Sequence, residues 1–174
     1  GCGKTVTAIN LAMSMARQPE TFTILADFDL RKPQIADYLG VRPELDLYDV
    51  LKSGASLNDT LFCLDICGDR LAFLPTLAPA AQPSEILSST KMARLVTSLK
   101  DSRRGGLVVF DMPPVLVADD VMAFSSQVDG ILLVVAAGQS KASEVDETRR
   151  ALPSEKLLGV VLTKNEEKPD RYYY

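Results

Sequence analysis

The 174-residue chain has no histidine and no tryptophan, and its cysteines number three: Cys2, Cys63 and Cys67. Without histidine, Ser–His and Cys–His nucleophilic chemistry is excluded. Cys63 and Cys67 stand four apart with no second pair and no histidine to complete a ligand set, which argues against zinc. A small, odd number of thiols in a domain large enough to need no covalent staple fits a reducing compartment. No apolar run approaches the roughly 18 residues that would cross a bilayer. Internal repeats are absent. The formal net charge of −4 leaves no basic excess to attract nucleic acid non-specifically.

Hydrophobic residues make up 47% of the chain, enough for a core in one domain of this length. Short apolar runs at 21–26 (TFTILA), 71–74 (LAFL), 107–110 (LVVF), 131–136 (ILLVVA) and 158–162 (LGVVL) read as strands. They are nearly continuous rather than alternating, as parallel strands covered on both faces are. Residues 5–17, 90–102 and 141–152 have helical spacing, and 119–126 reads as a shorter helix. The stretch 32–87 is less regular, with several prolines and short helical pieces at 45–52 and 56–61. Strand–helix alternation implies an α/β fold with a doubly wound, mostly parallel sheet. Residues 1–163 are expected to form one domain. Residues 164–174 (KNEEKPDRYYY) are expected to form a flexible tail.

The first five residues, Gly1-Cys2-Gly3-Lys4-Thr5, match the second half of the phosphate-loop pattern G-x-x-x-x-G-K-[ST]. In such a loop, backbone N–H groups and the following helix N-terminus meet phosphate oxygens. Lys4 would reach the β- and γ-phosphates, and the Thr5 hydroxyl would ligate Mg²⁺. The fold is then of the P-loop NTPase type, and the strand feeding the loop is expected ahead of residue 1, so the chain reads as a fragment.

Asp111 follows the LVVF run, at the strand end where open α/β sheets bind ligands. A carboxylate there can hold Mg²⁺ directly or through water. Asp27 and Asp29, in A-D-F-D-L-R, also follow an apolar strand. One can orient or deprotonate a nucleophile while the other serves the metal. A lone aspartate after a strand is ordinarily a cap or turn residue; three of them converging on a phosphate loop favour the site. Pro113-Pro114 stiffens the chain leaving Asp111.

The set G-K-T-V-T-A-I-N-L-A, I-L-A-D-F-D-L-R-K-P and L-V-V-F-D-M-P-P-V-L resembles the bacterial tyrosine kinases of polysaccharide synthesis and export, the CpsD/CapB type. Residues 47–57, 82–89 and 119–135 resemble further stretches of that family. Partition and Min-type ATPases with deviant phosphate loops are more distant relatives, and D-x-D-L-R favours the kinases over them. The resemblance implies ATP and Mg²⁺ as cofactors, with Gly1, Cys2, Gly3, Lys4, Thr5 and Val6 binding nucleotide. It implies Thr5, Asp29 and Asp111 at the metal, and Lys4, Asp27, Asp29 and Asp111 as the catalytic set, with Asp27 the base or orienter for a tyrosine hydroxyl.

The same resemblance makes Tyr172, Tyr173 and Tyr174 phosphoacceptors for a neighbouring subunit in a homo-oligomeric ring. About twelve residues after Leu162 can span up to about 40 Å, so a neighbour is within reach. The implied activator is the cytoplasmic segment of a membrane polysaccharide co-polymerase, with no direct nucleic-acid partner. The implied location is the cytoplasm, at the inner face of the cell membrane. The expected function is ATP-dependent tyrosine autophosphorylation regulating exopolysaccharide or capsule synthesis. The alternatives are a partition or Min-type ATPase acting as a nucleotide-dependent dimerisation switch, and a regulatory subunit that binds nucleotide without turnover.

Overall fold

The computed structural model describes residues 2–64, 70–102, 106–117 and 119–166. Helix α1 (Lys4–Ala16) opens the chain and is followed by β1 (Thr23–Asp27), α2 (Ile35–Leu39), α3 (Leu57–Thr60), β2 (Phe62–Leu64) and β3 (Leu71–Leu74). Then come α4 (Pro83–Leu87), α5 (Thr90–Asp101), β4 (Leu107–Asp111), α6 (Asp120–Ser125), β5 (Ile131–Ala136), α7 (Ala142–Ala151) and β6 (Leu157–Thr163). The main sheet has the order β2-β3-β1-β4, with β1 parallel to both neighbours and β2 an antiparallel edge. Strands β5 and β6 form a separate parallel pair. This is the expected α/β, mostly parallel sheet.

Side chains alternate across β1, so its two faces feed two cores. Leu25 joins Ala8, Ile9, Ala12 and Ala16 of α1 on one face. Those four recur at helical spacing, and the fully buried alanines let α1 lie close on the sheet. Ile24 and Ala26 face the other core, with Leu74, Leu95, Leu99, Phe28 and Phe124. There Phe28, Phe110 and Phe124 meet as three tilted or edge-on ring pairs, with centroids 4.9, 5.3 and 5.1 Å apart. This geometry suits aromatic quadrupoles.

The five expected strands and four longer helices are present, with ends displaced by one or two residues. The expected helical piece at 45–52 is instead a π-type turn, Asp49–Ser53, closed by Gly54 at φ 72°. Strand β2 and helices α2 and α4 carry no strong periodic signal, because three to five residues cannot show one. The expectation of strands covered on both faces holds for β1 and β3 but not for β6. Leu158, Val160 and Leu162 are 76, 54 and 56% exposed, and among the described residues nothing covers that face. Strands β4 and β5 each have one hydrogen-bonded neighbour, and the sheet divides between them. No helix among the described residues is long and apolar enough to cross a membrane.

The aromatic trio makes a direct stability prediction. Phe124→Ala should cost about 3–5 kcal/mol in urea unfolding. Leu158→Ser in this chain should change stability by no more than about 0.5 kcal/mol.

Candidate functional site

The site is built by strand register. β1 and β4 run parallel with Asp27 opposite Asp111, so both strands deliver a carboxylate to the same C-terminal edge. The ladder continues one step further, with the Phe28 N–H donating to the Asp111 carbonyl at 2.9 Å. The Thr76 hydroxyl donates to the Asp27 carbonyl at 2.6 Å. The backbone around Asp27 is thereby pinned from both sides. Helix α1 packs on β1 and β4 and starts at the same edge, which brings Lys4 and Thr5 to Asp111.

Asp27 is fully buried. Its Oδ2 accepts from the N–H groups of Gln34 and Ile35 at 3.0 and 2.9 Å, satisfying two orphan donors at the start of α2. Its Oδ1 is buried with no hydrogen-bond partner. Asp27 therefore acts as a remote helix cap through one oxygen and presents an unmatched acceptor with the other. Burial pushes its carboxyl up to about 7, opposed by the Ile35 and Gln34 amides and reinforced by Asp111 and Asp29. Asp111 is raised too, chiefly by burial, with the Thr5 hydroxyl and Lys4 ammonium pulling it back down.

Asp29 is half-buried, and its Oδ1 accepts from the Lys32 N–H at 3.0 Å. The Lys32 N–H also reaches the Asp29 carbonyl at 3.1 Å, so Asp29–Lys32 is a closed turn. Asp29 reaches the neighbourhood of Asp27 and Asp111 from this turn rather than along an extended strand. The strand ends at Asp27, Phe28 turns into the core, and Asp29 approaches from a turn.

Gly3 precedes α1 at φ 88°, a left-handed conformation that favours glycine. Cys2 and Val6 stand on either side of Gly3-Lys4-Thr5, with Val6 exposed. Gly1 and Tyr172, Tyr173 and Tyr174 lie outside the described residues. Sequence reasoning missed Thr163, whose hydroxyl donates to the Cys2 carbonyl at 2.6 Å and ties the loop to the end of β6. Its place at the C-terminal end of a parallel strand, where ligands gather, was the available signal.

Among the described residues, no three His, Cys, Asp or Glu side chains form a ready metal cage. Mg²⁺ takes one or two carboxylates and completes its shell with phosphate and water oxygens. The unmatched Oδ1 of Asp27 and the Asp111 carboxyl beside Thr5 are oxygen ligands of the kind a hard cation takes, and the Lys4 ammonium suits phosphate.

A mostly parallel sheet, a glycine-led helix start and strand-end aspartates define a P-loop nucleotide-binding domain. No protein-family model matches the chain. It is 29% identical over 165 residues to the tyrosine-protein kinase YwqD of Bacillus subtilis, a match spanning 93% of this chain and 67% of that protein. It is 30% identical over 169 residues to the succinoglycan biosynthesis transport protein ExoP of Rhizobium meliloti, covering 94% of this chain but 21% of that one. The crystal structure of the VpsO kinase domain superposes with a TM-score of 0.83 at 32% identity, over 93% of this chain and 78% of that one. The chain belongs to the bacterial tyrosine kinases. The chromosome-partitioning ATPase Soj of Thermus thermophilus is also similar, at 32% identity over 65% of its length.

The raised Asp27 carboxyl fixes a sign for stability. Between the usual carboxylate range and about pH 7, the folded chain holds a proton at Asp27 that the unfolded chain has released. Stability from this group is complete at low pH and is lost as pH rises through about 7. Asp27→Asn keeps an acceptor for the two amides and removes the ionisation. It should stabilise the nucleotide-free chain by about 2–4 kcal/mol at pH 8 and by little at pH 4, measured by denaturant unfolding at both pH values.

Proposed function

We propose that this chain is the catalytic domain of an ATP-dependent tyrosine autokinase that phosphorylates the tyrosine tail of a neighbouring subunit. The observation that carries the reading is Asp27: buried, pinned, facing Asp111 across one strand pair, with a free oxygen and a carboxyl near neutrality. A base poised there suits a phenol with an ordinary pKa of about 10.

In this reading the incoming tyrosine oxygen bonds to the γ-phosphorus as the β–γ bridging P–O bond breaks. ADP departs with the bond's electrons, and the phenolic proton passes to Asp27 Oδ1. Lys4 and the backbone N–H groups of Gly1–Val6, with Cys2 at the loop, hold the phosphates and stabilise the charge that spreads over the transferring group. Thr5, Asp29 and Asp111 hold Mg²⁺, which supplies charge neutralisation on the phosphate oxygens when bound. Residues 1–163 form the catalytic unit, and residues 164–174 carry Tyr172, Tyr173 and Tyr174 as acceptors.

Further parts of the reading rest on the likenesses and on the site's position. The phosphate loop is tied to β6 through Cys2 while α1 lies on β1 and β4. The activator is the cytoplasmic segment of a membrane polysaccharide co-polymerase, a role supported by the likeness to ExoP. On this reading the working protein acts at the inner face of the membrane, as a homo-oligomer, in exopolysaccharide or capsule synthesis. A dimerising partition-type ATPase is the competing reading, favoured by the likeness to Soj. D-F-D-L-R and the terminal tyrosines weigh against it.

The deciding experiment incubates the full-length protein with Mg·ATP and its activator, then maps phosphosites by mass spectrometry. Phosphate on Tyr172–Tyr174 is expected. ADP accumulating with no phosphotyrosine in that tail sinks the kinase reading. Lys4→Ala should abolish transfer while leaving the circular dichroism spectrum unchanged. Asp27→Asn should bind nucleotide yet slow single-turnover transfer by about 10²–10⁴-fold.

A further inference from the structure

Asp120, the first residue of α6, has a fully buried carboxylate engaged by two distant segments. Arg31 Nε donates to Oδ2 at 2.7 Å, and Arg31 Nη2 donates to Oδ1 at 3.3 Å, across 89 residues of sequence. The Ser84 hydroxyl of α4 donates to Oδ1 as well. The Arg31 side chain remains 42% exposed, so the buried member is the carboxylate.

Such a pair is a poor device for stability. Desolvating the charges offsets most of their attraction, and an apolar replacement is often equally stable. A two-point guanidinium fork does fix orientation, which a single ammonium cannot. What it orients is the Asp29–Lys32 turn, of which Arg31 is a member. The turn is also held at Leu30, whose side chain is buried in the core and whose carbonyl accepts from the Ala80 N–H at 2.8 Å. On its other side, Asp120 ends the segment that leaves Asp111. The pair therefore spans the two chain segments that carry Asp29 and Asp111.

We propose that Arg31 and Asp120, steadied by Ser84, are positioning residues that set where the Asp29 carboxylate stands relative to Asp111 and so tune the Mg²⁺ affinity of the site. The proposal rests on the reading of Asp29 and Asp111 as metal-side groups, but not on transfer to tyrosine.

The test uses the full-length protein and a fluorescent ADP analogue, titrating Mg²⁺ at fixed nucleotide, with thermal melting in parallel. Asp29→Asn serves as the reference for losing the metal-side group. Arg31→Gln and Asp120→Asn should each raise the Mg²⁺ concentration for half-maximal binding about tenfold. Nucleotide affinity in EDTA should stay unchanged. Arg31→Lys should fall between wild type and Arg31→Gln, and the double variant should be no worse than the poorer single one.

Lower melting temperatures with an unaltered Mg²⁺ requirement would overturn the proposal, leaving the pair a structural tie. An Asp29→Asn variant with normal Mg²⁺ dependence would overturn it as well. If Arg31→Gln does not fold, Arg31→Lys and Asp120→Asn decide the matter. The readout is binding, so a wild-type protein that moves no phosphate to tyrosine would defeat the kinase reading and leave this one standing.

Discussion

The structure turns on a carboxylate buried at the end of a central strand and matched, by register, with another carboxylate on the next strand. Asp27 opposite Asp111 is costly. Two acids leave water at one edge of one strand pair; burial raises the proton affinity of both, and Asp111 adds to that of Asp27. Neighbouring groups are arranged around that cost. The amides of α2 take one oxygen of Asp27, Lys4 and Thr5 face Asp111, and the Thr76 hydroxyl pins the peptide between strand and turn. What they leave over is one buried, unmatched oxygen beside a loop shaped for phosphate.

That arrangement explains why fold alone decides little about activity. Kinases and partition ATPases are both similar to this chain, and a phosphate loop with a strand-end aspartate serves either chemistry. On the proposed reading of Asp27 as the base, the difference lies in the nucleophile admitted to it. A tail bearing three tyrosines supplies one candidate, and water supplies the other. On that reading the nucleophile, rather than the nucleotide loop, separates a kinase from a switch.

Much of this was legible in the residues. Continuous apolar runs located the central strands because parallel strands at the middle of a sheet are buried on both faces, as β1 and β3 are. G-K-T, D-F-D and the aspartate after LVVF marked the site because chemistry gathers at strand ends. The remainder was hidden for physical reasons. The capping partner of α2 is Asp27, seven and eight residues upstream, so no local cap signal exists. The partner of Arg31 is 89 residues away, and the anchor of the phosphate loop, Thr163, is 161 residues from Cys2. Spacing along the chain carries no trace of such pairings. The exposed leucines and valine of β6 defeat the rule that apolar runs are buried, since composition does not say which face of a strand has a neighbour.

The central claim is that Asp27 takes the proton from the attacking hydroxyl. The pH dependence of single-turnover phosphate transfer in the full-length protein, compared between wild type and Asp27→Asn, tests it most directly. The account predicts a rising limb in the neutral range for wild type and its disappearance, at a much lower rate, in Asp27→Asn. A variant that keeps the same limb and a similar rate would show that the buried carboxylate is not the base.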